Sequence, residues 1–417
     1  MKSRSHNLHR VLLYSHDTYG LGHLRRNLAI ARHLIEVVPE LQVVVLTGSP
    51  AAGRFPLPRG VSLVSLPPVV KVAAEEYRSR DPRVEFAVVR RARAAIIADV
   101  ARRFEPDVFL VDHAPHGMKG ELLLAFDTLR SHSPRTRIVL GLRDVIDDAA
   151  TIRSAWEQQG VFDTLERVFD HVVIYGRRDM LDLATAYGFP RSVRERTTYC
   201  GYLWRTGTSA APEQIPDGIP DRFVLATGGG GGDGLDVLIA TLHAAEALGM
   251  PSLLVSGPLM DAGERCRLEA AVSASPGGRI VEFVPGLERL MKSAAAIVTM
   301  GGYNSLCEVV PTGVPAIVVP RVWPRREQAI RAALFAERGL VHVVDPGPAL
   351  EARLLPVLRD ALASPRQTGA AIPLDDGFDR LCDVLMTEAD LGAAAARPMI
   401  WPSIAASPSV LEERVPA

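Results

Sequence analysis

The sequence predicts an α/β fold of two Rossmann-like, doubly wound parallel-sheet domains facing each other across a cleft. Three observations predict it. Short apolar segments alternate with amphipathic helical patterns almost from end to end, an order that packs as a parallel sheet with right-handed crossovers. The series pauses in a Pro- and Gly-containing stretch, residues 205–220, and restarts at Phe223, which marks a domain boundary. A chain of 417 residues is long enough for two substantial cores.

In the first half the strand candidates are Val11 to Ser15, Gln42 to Leu46, Val61 to Leu66, Asp107 to Val111, Arg137 to Leu142 and His171 to Ile174. Each is a short apolar or β-branched run. Between the first two, Leu24, Leu28, Ala31, Leu34 and Ile35 recur near the helical period. The second series runs Phe223 to Ala226, Ser252 to Ser256, Arg279 to Val284, Ala294 to Thr299, Pro315 to Val319 and Val341 to Val344. The expected division is residues 1–204, a linker at 205–220, a second domain at 221–373, a helix at 374–395 returning to the first domain, and a tail at 396–417. In such sheets ligands bind beyond the carboxyl ends of the strands.

Composition narrows the class. Hydrophobic residues make up 47% and charged residues 23%, ordinary for a soluble globular protein. A formal net charge of −1 gives no footprint for nucleic acid. Cys200, Cys266, Cys307 and Cys382 lie far apart without a Cys-x-x-Cys, so the expectation is a reducing cytoplasm rather than a disulfide scaffold or structural zinc site. The basic residues 1–10 lead into strand-like Val11 to Tyr14, unlike a signal peptide. No apolar run reaches the roughly eighteen residues of a membrane span. Residues 54–103 carry eleven Lys or Arg against five Asp or Glu. That excess fits a solvated helix face, an anionic acceptor or peripheral contact with an anionic membrane surface.

The densest signal is Met300-Gly-Gly-Tyr-Asn-Ser-Leu-Cys-Glu308, followed by Gly313-Val-Pro315, Pro320 and Arg326-Glu-Gln328. Gly301 and Gly302 allow a sharp turn after a buried strand. Tyr303, Asn304 and Ser305 then open a short helix whose free N–H groups suit a phosphate. Glu308 falls about one and a half turns on, within reach of a ribose hydroxyl pair. Glu327 and Gln328 fall just past the next strand, where they can hydrogen-bond sugar hydroxyls.

This spaced set resembles the donor half of the two-domain, GT-B type glycosyltransferases, above all the MurG-type N-acetylglucosaminyl transferases and their bacterial relatives. The likeness covers roughly residues 10 to 390 and is strongest in the second half. It implies a nucleotide-diphosphate sugar as co-substrate, with uridine diphosphate as the default and guanosine or thymidine diphosphate as alternatives. It also implies inversion at the anomeric carbon and no metal cofactor. The chain contains no Asp-x-Asp, so a metal clamp is not indicated. Phe283-Val-Pro-Gly-Leu287 matches in position the family loop whose backbone holds the base, which places Phe283, Val284 and Leu287 at the donor. Gly228 to Gly232, among them Gly229, Gly230 and Gly231, match the loop that approaches the donor phosphates or the acceptor. As residues alone, they also describe a flexible turn.

In the first half, Tyr14-Ser-His16-Asp17-Thr-Tyr-Gly20-Leu-Gly22-His23 resembles the family's amino-terminal Gly-x-Gly-His loop but lacks its fuller glycine run. That departure counts against a lipid-linked peptidoglycan acceptor without removing it. His23, at a helix start, is held mostly neutral by the dipole and suits a general base. It also fits as a polar helix-start residue. Asp112 and His16 are the rival bases, while Asp17, Gly22, His113, His116, Arg143 and Asp144 are candidate acceptor contacts at strand ends. Asp and His are common loop formers there too. The expected activity is transfer of a sugar to a small-molecule or cell-envelope acceptor. A nucleotide-sugar 2-epimerase or hydrolase, or a non-catalytic nucleotide-sugar-binding protein, remains open, as does the oligomeric state.

Overall fold

The computed structural model describes residues 7–16, 22–50, 52–73, 76–204, 220–230, 232–284, 286–366 and 376–394. The described residues form two units, one running to Gly201 and resuming at Asp376, the other running from Tyr202 to residue 366.

The first unit is built on a seven-stranded sheet. Its strands are β1 (Arg10–Ser15), β2 (Gln42–Thr47), β3 (Val61–Ser65), β6 (Val108–Asp112), β7 (Arg137–Arg143), β8 (His171–Tyr175) and β9 (Thr197–Tyr199). A separate antiparallel hairpin, β4 (Val69–Ala73) and β5 (Glu76–Ser79), stands outside it. The sheet order is β3-β2-β1-β6-β7-β8-β9, all parallel. The order therefore reverses between β1 and β6, the place where doubly wound folds bind ligands. Helix Gly22–Val37 buries Leu24, Leu28, Ala31 and Leu34, the i, i+4, i+7 stripe read from the sequence. Helix Gly377–Ala394 also belongs here. It buries Leu381, Cys382, Leu385 and Ala389, and Glu388 accepts from Arg137 Nε at 2.7 Å and lies 3.2 Å from His171 Nδ1.

The second unit has a six-stranded parallel sheet: β10 (Val224–Thr227), β11 (Ser252–Val255), β12 (Gly278–Val281), β13 (Ala296–Thr299), β14 (Ala316–Val318) and β15 (His342–Val343). Its order, β12-β11-β10-β13-β14-β15, reverses between β10 and β13. Tyr202 packs on Tyr303 and Phe335, with ring centroids 6.1 and 5.2 Å away. Residues 202–204, expected in the first domain, thus pack in the second, because their aromatic side chains find their burial there. The expected linker lies almost wholly outside the described residues, as do Asp17 and Gly231.

Candidate functional site

In the first unit the loops after β1 and β6 bring a cluster of polar side chains to the switch point. Asp112, the last residue of β6, is completely buried. Its Oδ2 lies 2.7 Å from His23 Nδ1. Arg26, one turn along the helix Gly22–Val37, donates from Nε and NH2 to Oδ1 at 3.0 and 2.8 Å and from NH2 to Oδ2 at 2.7 Å. Asn27 donates to Oδ2 at 3.3 Å and to the His23 carbonyl at 2.9 Å. Burial by itself would raise the Asp112 carboxyl, but the Arg26 guanidinium and His23 pull it down to about 2. The carboxylate is therefore ionised and accepts, which favours the His23 tautomer with its proton on Nδ1, a nitrogen that also has Arg26 NH2 2.9 Å away. Burial also lowers His23, against the pull of Asp112.

The neighbouring rings complete the cluster. The His23 ring centroid is 5.2 Å from that of His113 and 5.9 Å from that of His16. His113 has a left-handed φ of +76°, a backbone strain that persists only where surroundings enforce it. Arg143, closing β7, points NH2 at His113 Nε2 over 3.3 Å. His16 Nδ1 lies 3.2 Å from the Tyr14 hydroxyl, which donates to Glu121 at 2.6 Å. Glu121 is clamped by buried Arg93 at 2.6 and 2.8 Å. Tyr175 lies under the cluster, its ring centroid 5.8 Å from Arg26 Cζ. Gly141 makes this possible, since a Cβ there would stand 1.9 Å from the Tyr175 hydroxyl.

Not every candidate joins. His116 turns away to Thr164, 2.7 Å from its Oγ1, and burial drops its pKa to about 4. Asp144 is buried and accepts from the Val145 N–H at 2.8 Å. Gly22 opens the helix. Sequence reasoning missed Arg26, Asn27, Tyr14, Glu121, Arg93 and Tyr175. A lone Arg on a helix reads as solvated, and its burial here depends on Asp112, 86 positions away.

In the second unit the loops after β10, β13 and β14 emerge side by side. Gly301 has φ +76°, and a Cβ there would lie 2.6 Å from Val318 Cγ1, so only glycine makes this turn without strain. Gly302 caps the seven-residue helix Tyr303–Val309. Tyr303 turns inward: its hydroxyl accepts from the Leu203 N–H at 3.2 Å, and Arg331 Cζ sits 5.7 Å from its ring centroid. Asn304 and Ser305 are half-buried and Glu308 is buried on the same helix. Glu327 and Gln328 open helix Glu327–Ala336, both largely buried. Gln328 Oε1 accepts from the Arg321 backbone N–H at 2.9 Å. After β10, Gly229 (φ +66°) donates to Thr227 Oγ1 at 3.2 Å, and the Gly230 carbonyl accepts from Leu259 N at 3.1 Å. Val284 and Leu287 are buried and Phe283 is half-buried beyond β12. Among the described residues no group of three or more His, Cys, Asp or Glu is placed to hold a metal ion. No helix of the described residues is long and apolar enough to cross a membrane.

Two Rossmann-like units of this order define the GT-B glycosyltransferase architecture. Solved structures with this fold include a putative UDP-N-acetylglucosamine 2-epimerase from Listeria monocytogenes, with a TM-score of 0.62, 13% identity, and coverage of 95% of this chain and 99% of that one. They also include MurG of Acinetobacter baumannii, with a TM-score of 0.56, 14% identity and coverage of 91% and 99%. Residues 261–371, within the second unit, match the glycosyltransferase family 28 C-terminal domain. A UDP-N-acetylglucosamine--N-acetylmuramyl-(pentapeptide) pyrophosphoryl-undecaprenol N-acetylglucosamine transferase of Paenarthrobacter aurescens is 29% identical over 175 residues, 40% of this chain and 46% of that protein. The chain spans about half the length of the curated relatives it matches. The resemblance to MurG-type enzymes thus holds in family, sequence and fold.

Proposed function

We propose that this protein is a glycosyltransferase that moves a sugar from a nucleotide-diphosphate sugar to a hydroxyl acceptor, inverting the anomeric carbon without a metal. The observation that carries transfer, rather than binding alone, is the His23–Asp112 pair. A half-buried imidazole whose Nδ1 lies 2.7 Å from an ionised carboxylate is arranged as a general base is.

In this reading His23 Nε2 takes the acceptor proton as the acceptor oxygen attacks the anomeric carbon. The bond from that carbon to the diphosphate oxygen breaks, and the nucleoside diphosphate leaves with the electron pair. Asp112 stabilises the imidazolium formed at His23. His16, His113 and Arg143 line the acceptor side. On the second unit, the backbone around Gly229, Gly230, Gly301 and Gly302 approaches the phosphates, Glu308 takes the ribose, and Glu327 and Gln328 take the sugar. Uridine diphosphate is the first nucleotide to test, because a curated relative is named for a UDP sugar. The acceptor is a small molecule or a cell-envelope intermediate, and the basic excess over residues 54–103 suits peripheral contact with an anionic surface.

Thermal unfolding with a panel of nucleoside diphosphates, monophosphates and nucleosides tests the donor half. One diphosphate should raise the midpoint well above its nucleoside. Equal or absent shifts across the panel would refute a diphosphate donor.

A further inference from the structure

The leaving nucleoside diphosphate is the most highly charged species in the proposed reaction, and the cation already at the expected turn, Arg331, is fully buried and donates from NH1 to the Gly301 carbonyl at 3.3 Å. Met300, Gly301 and Gly302 carry no charged side chain. The helix Tyr303–Val309 has only seven residues, about two turns of aligned dipoles. The glycine loop after β10 brings Asp233, of the wrong sign.

Among the described residues, one cation that reaches across these loops is Arg321, three residues beyond the end of β14. Its NH1 lies 3.1 Å from Asp233 Oδ2 and its NH2 3.4 Å from Glu327 Oε1. Strand β13 lies between β10 and β14, with neighbouring strands ~4.8 Å apart. A side chain rooted after β14 that touches Asp233 after β10 therefore passes over the carboxyl end of β13, where the Gly301–Gly302 turn lies. The root is fixed, because Gln328 Oε1 holds the Arg321 backbone N–H at 2.9 Å. Among the described residues nothing pairs with the buried Nε of Arg321, an unsatisfied donor on a group with five N–H bonds to give.

We propose that Arg321 binds the diphosphate of the donor and stabilises it as it leaves. This rests on the glycosyl-transfer reading above. Asp233 and Glu327 hold the guanidinium over the turn, and its remaining N–H bonds, Nε–H among them, go to phosphoryl oxygens as charge-assisted hydrogen bonds. The transfer then needs no divalent ion to neutralise the leaving group.

Calorimetric titration of uridine, guanosine and thymidine diphosphates and their nucleosides into wild type, Arg321→Ala, Arg321→Lys and Asp233→Ala tests this. Ligand-free thermal midpoints check folding, and the lysine variant carries the comparison if alanine lowers it. The diphosphate that binds wild type should bind Arg321→Ala roughly 10- to 100-fold more weakly, with nucleoside affinity unchanged. Arg321→Lys should recover part of the loss, and Asp233→Ala, which removes one of the two carboxylates that hold the guanidinium, should weaken binding less than Arg321→Ala does. Unchanged diphosphate affinity in Arg321→Ala, or a parallel fall for the nucleoside, overturns the role of Arg321 and leaves the donor reading standing. A loss in Asp233→Ala equal to that in Arg321→Ala makes Arg321 a loop latch and overturns it as well. If no diphosphate binds wild type, the donor reading fails and the proposal fails with it.

Discussion

The Asp112 carboxylate stands 2.7 Å from His23 Nδ1, and Arg26 grips the same carboxylate with Nε and NH2. The pair ties the first helix of the chain to the end of β6, across the point where strand order reverses. It favours one tautomer of the imidazole before any substrate arrives, and the predictions begin there.

Replacing His23 with alanine should lower turnover with a hydroxyl acceptor by roughly 10²-fold or more. Asp112→Asn should cost nearly as much, since a neutral amide neither fixes the tautomer nor stabilises the imidazolium. Binding of the nucleoside diphosphate should change little in either variant. Steady-state rates beside calorimetric affinities check this. Near-normal turnover in His23→Ala with a large loss in His16→Ala would move the base to His16.

The pH dependence has a fixed sign. Burial lowers His23 below its ordinary 6.5, and a base must be neutral to act. Activity should therefore fall on the acid side with a kcat/KM midpoint below about 6.5. Asp112, drawn down to about 2, stays ionised throughout. Stability follows the same direction. Both His23 and His116, the latter at about 4, take up protons more readily when unfolded. Their contribution is present above 6.5 and lost as pH falls toward 4. Urea unfolding at several pH values should show a shallower acid loss in His116→Gln than in wild type. An acid limb centred above pH 7 would contradict the base assignment.

Gly301→Ala should lower stability by about 1–3 kcal/mol, because alanine is strained at φ +76° and its methyl would meet Val318 Cγ1 at 2.6 Å. The same change should weaken diphosphate binding, since the turn cannot keep its backbone path. Urea unfolding and calorimetry measure both. A variant equal to wild type in both would show the turn to be slack.

Glu308→Ala should weaken nucleoside and nucleotide binding together, by about 1–3 kcal/mol, if its carboxylate takes the ribose. Gln328→Ala has a second consequence legible only in the structure. It removes the acceptor of the Arg321 backbone N–H, so it should weaken diphosphate as well as sugar-nucleotide binding. Affinities for nucleoside, diphosphate and sugar nucleotide, compared in both variants, separate these effects.

Strands were legible because parallel strands buried on both faces are apolar runs. Their ends were less so: β6, β7, β8 and β10 close on Asp112, Arg143, Tyr175 and Thr227, polar or amphipathic residues that the apolar signal leaves out. The hairpin β4–β5 went unread. Its second strand has one apolar residue, Tyr77, and no Asn-Gly or Asp-Gly joins the two. In the candidate site, His23, Asp112 and the Gly301–Gln328 set were candidates from residue type, spacing and family resemblance. Arg26, Glu121 and Arg321 were not, because a charged residue's burial is set by partners far away in sequence.

The central claim is transfer, and the most direct measurement follows a labelled sugar. Nucleotide sugars carrying uridine, guanosine or thymidine diphosphate are incubated with the protein, with and without a cell-envelope extract and with and without a chelator. The account predicts that label from one donor moves to a new product only when acceptor is present, at a rate the chelator leaves unchanged. An epimerised or free sugar formed equally without acceptor, or no turnover of any donor that binds, would contradict it.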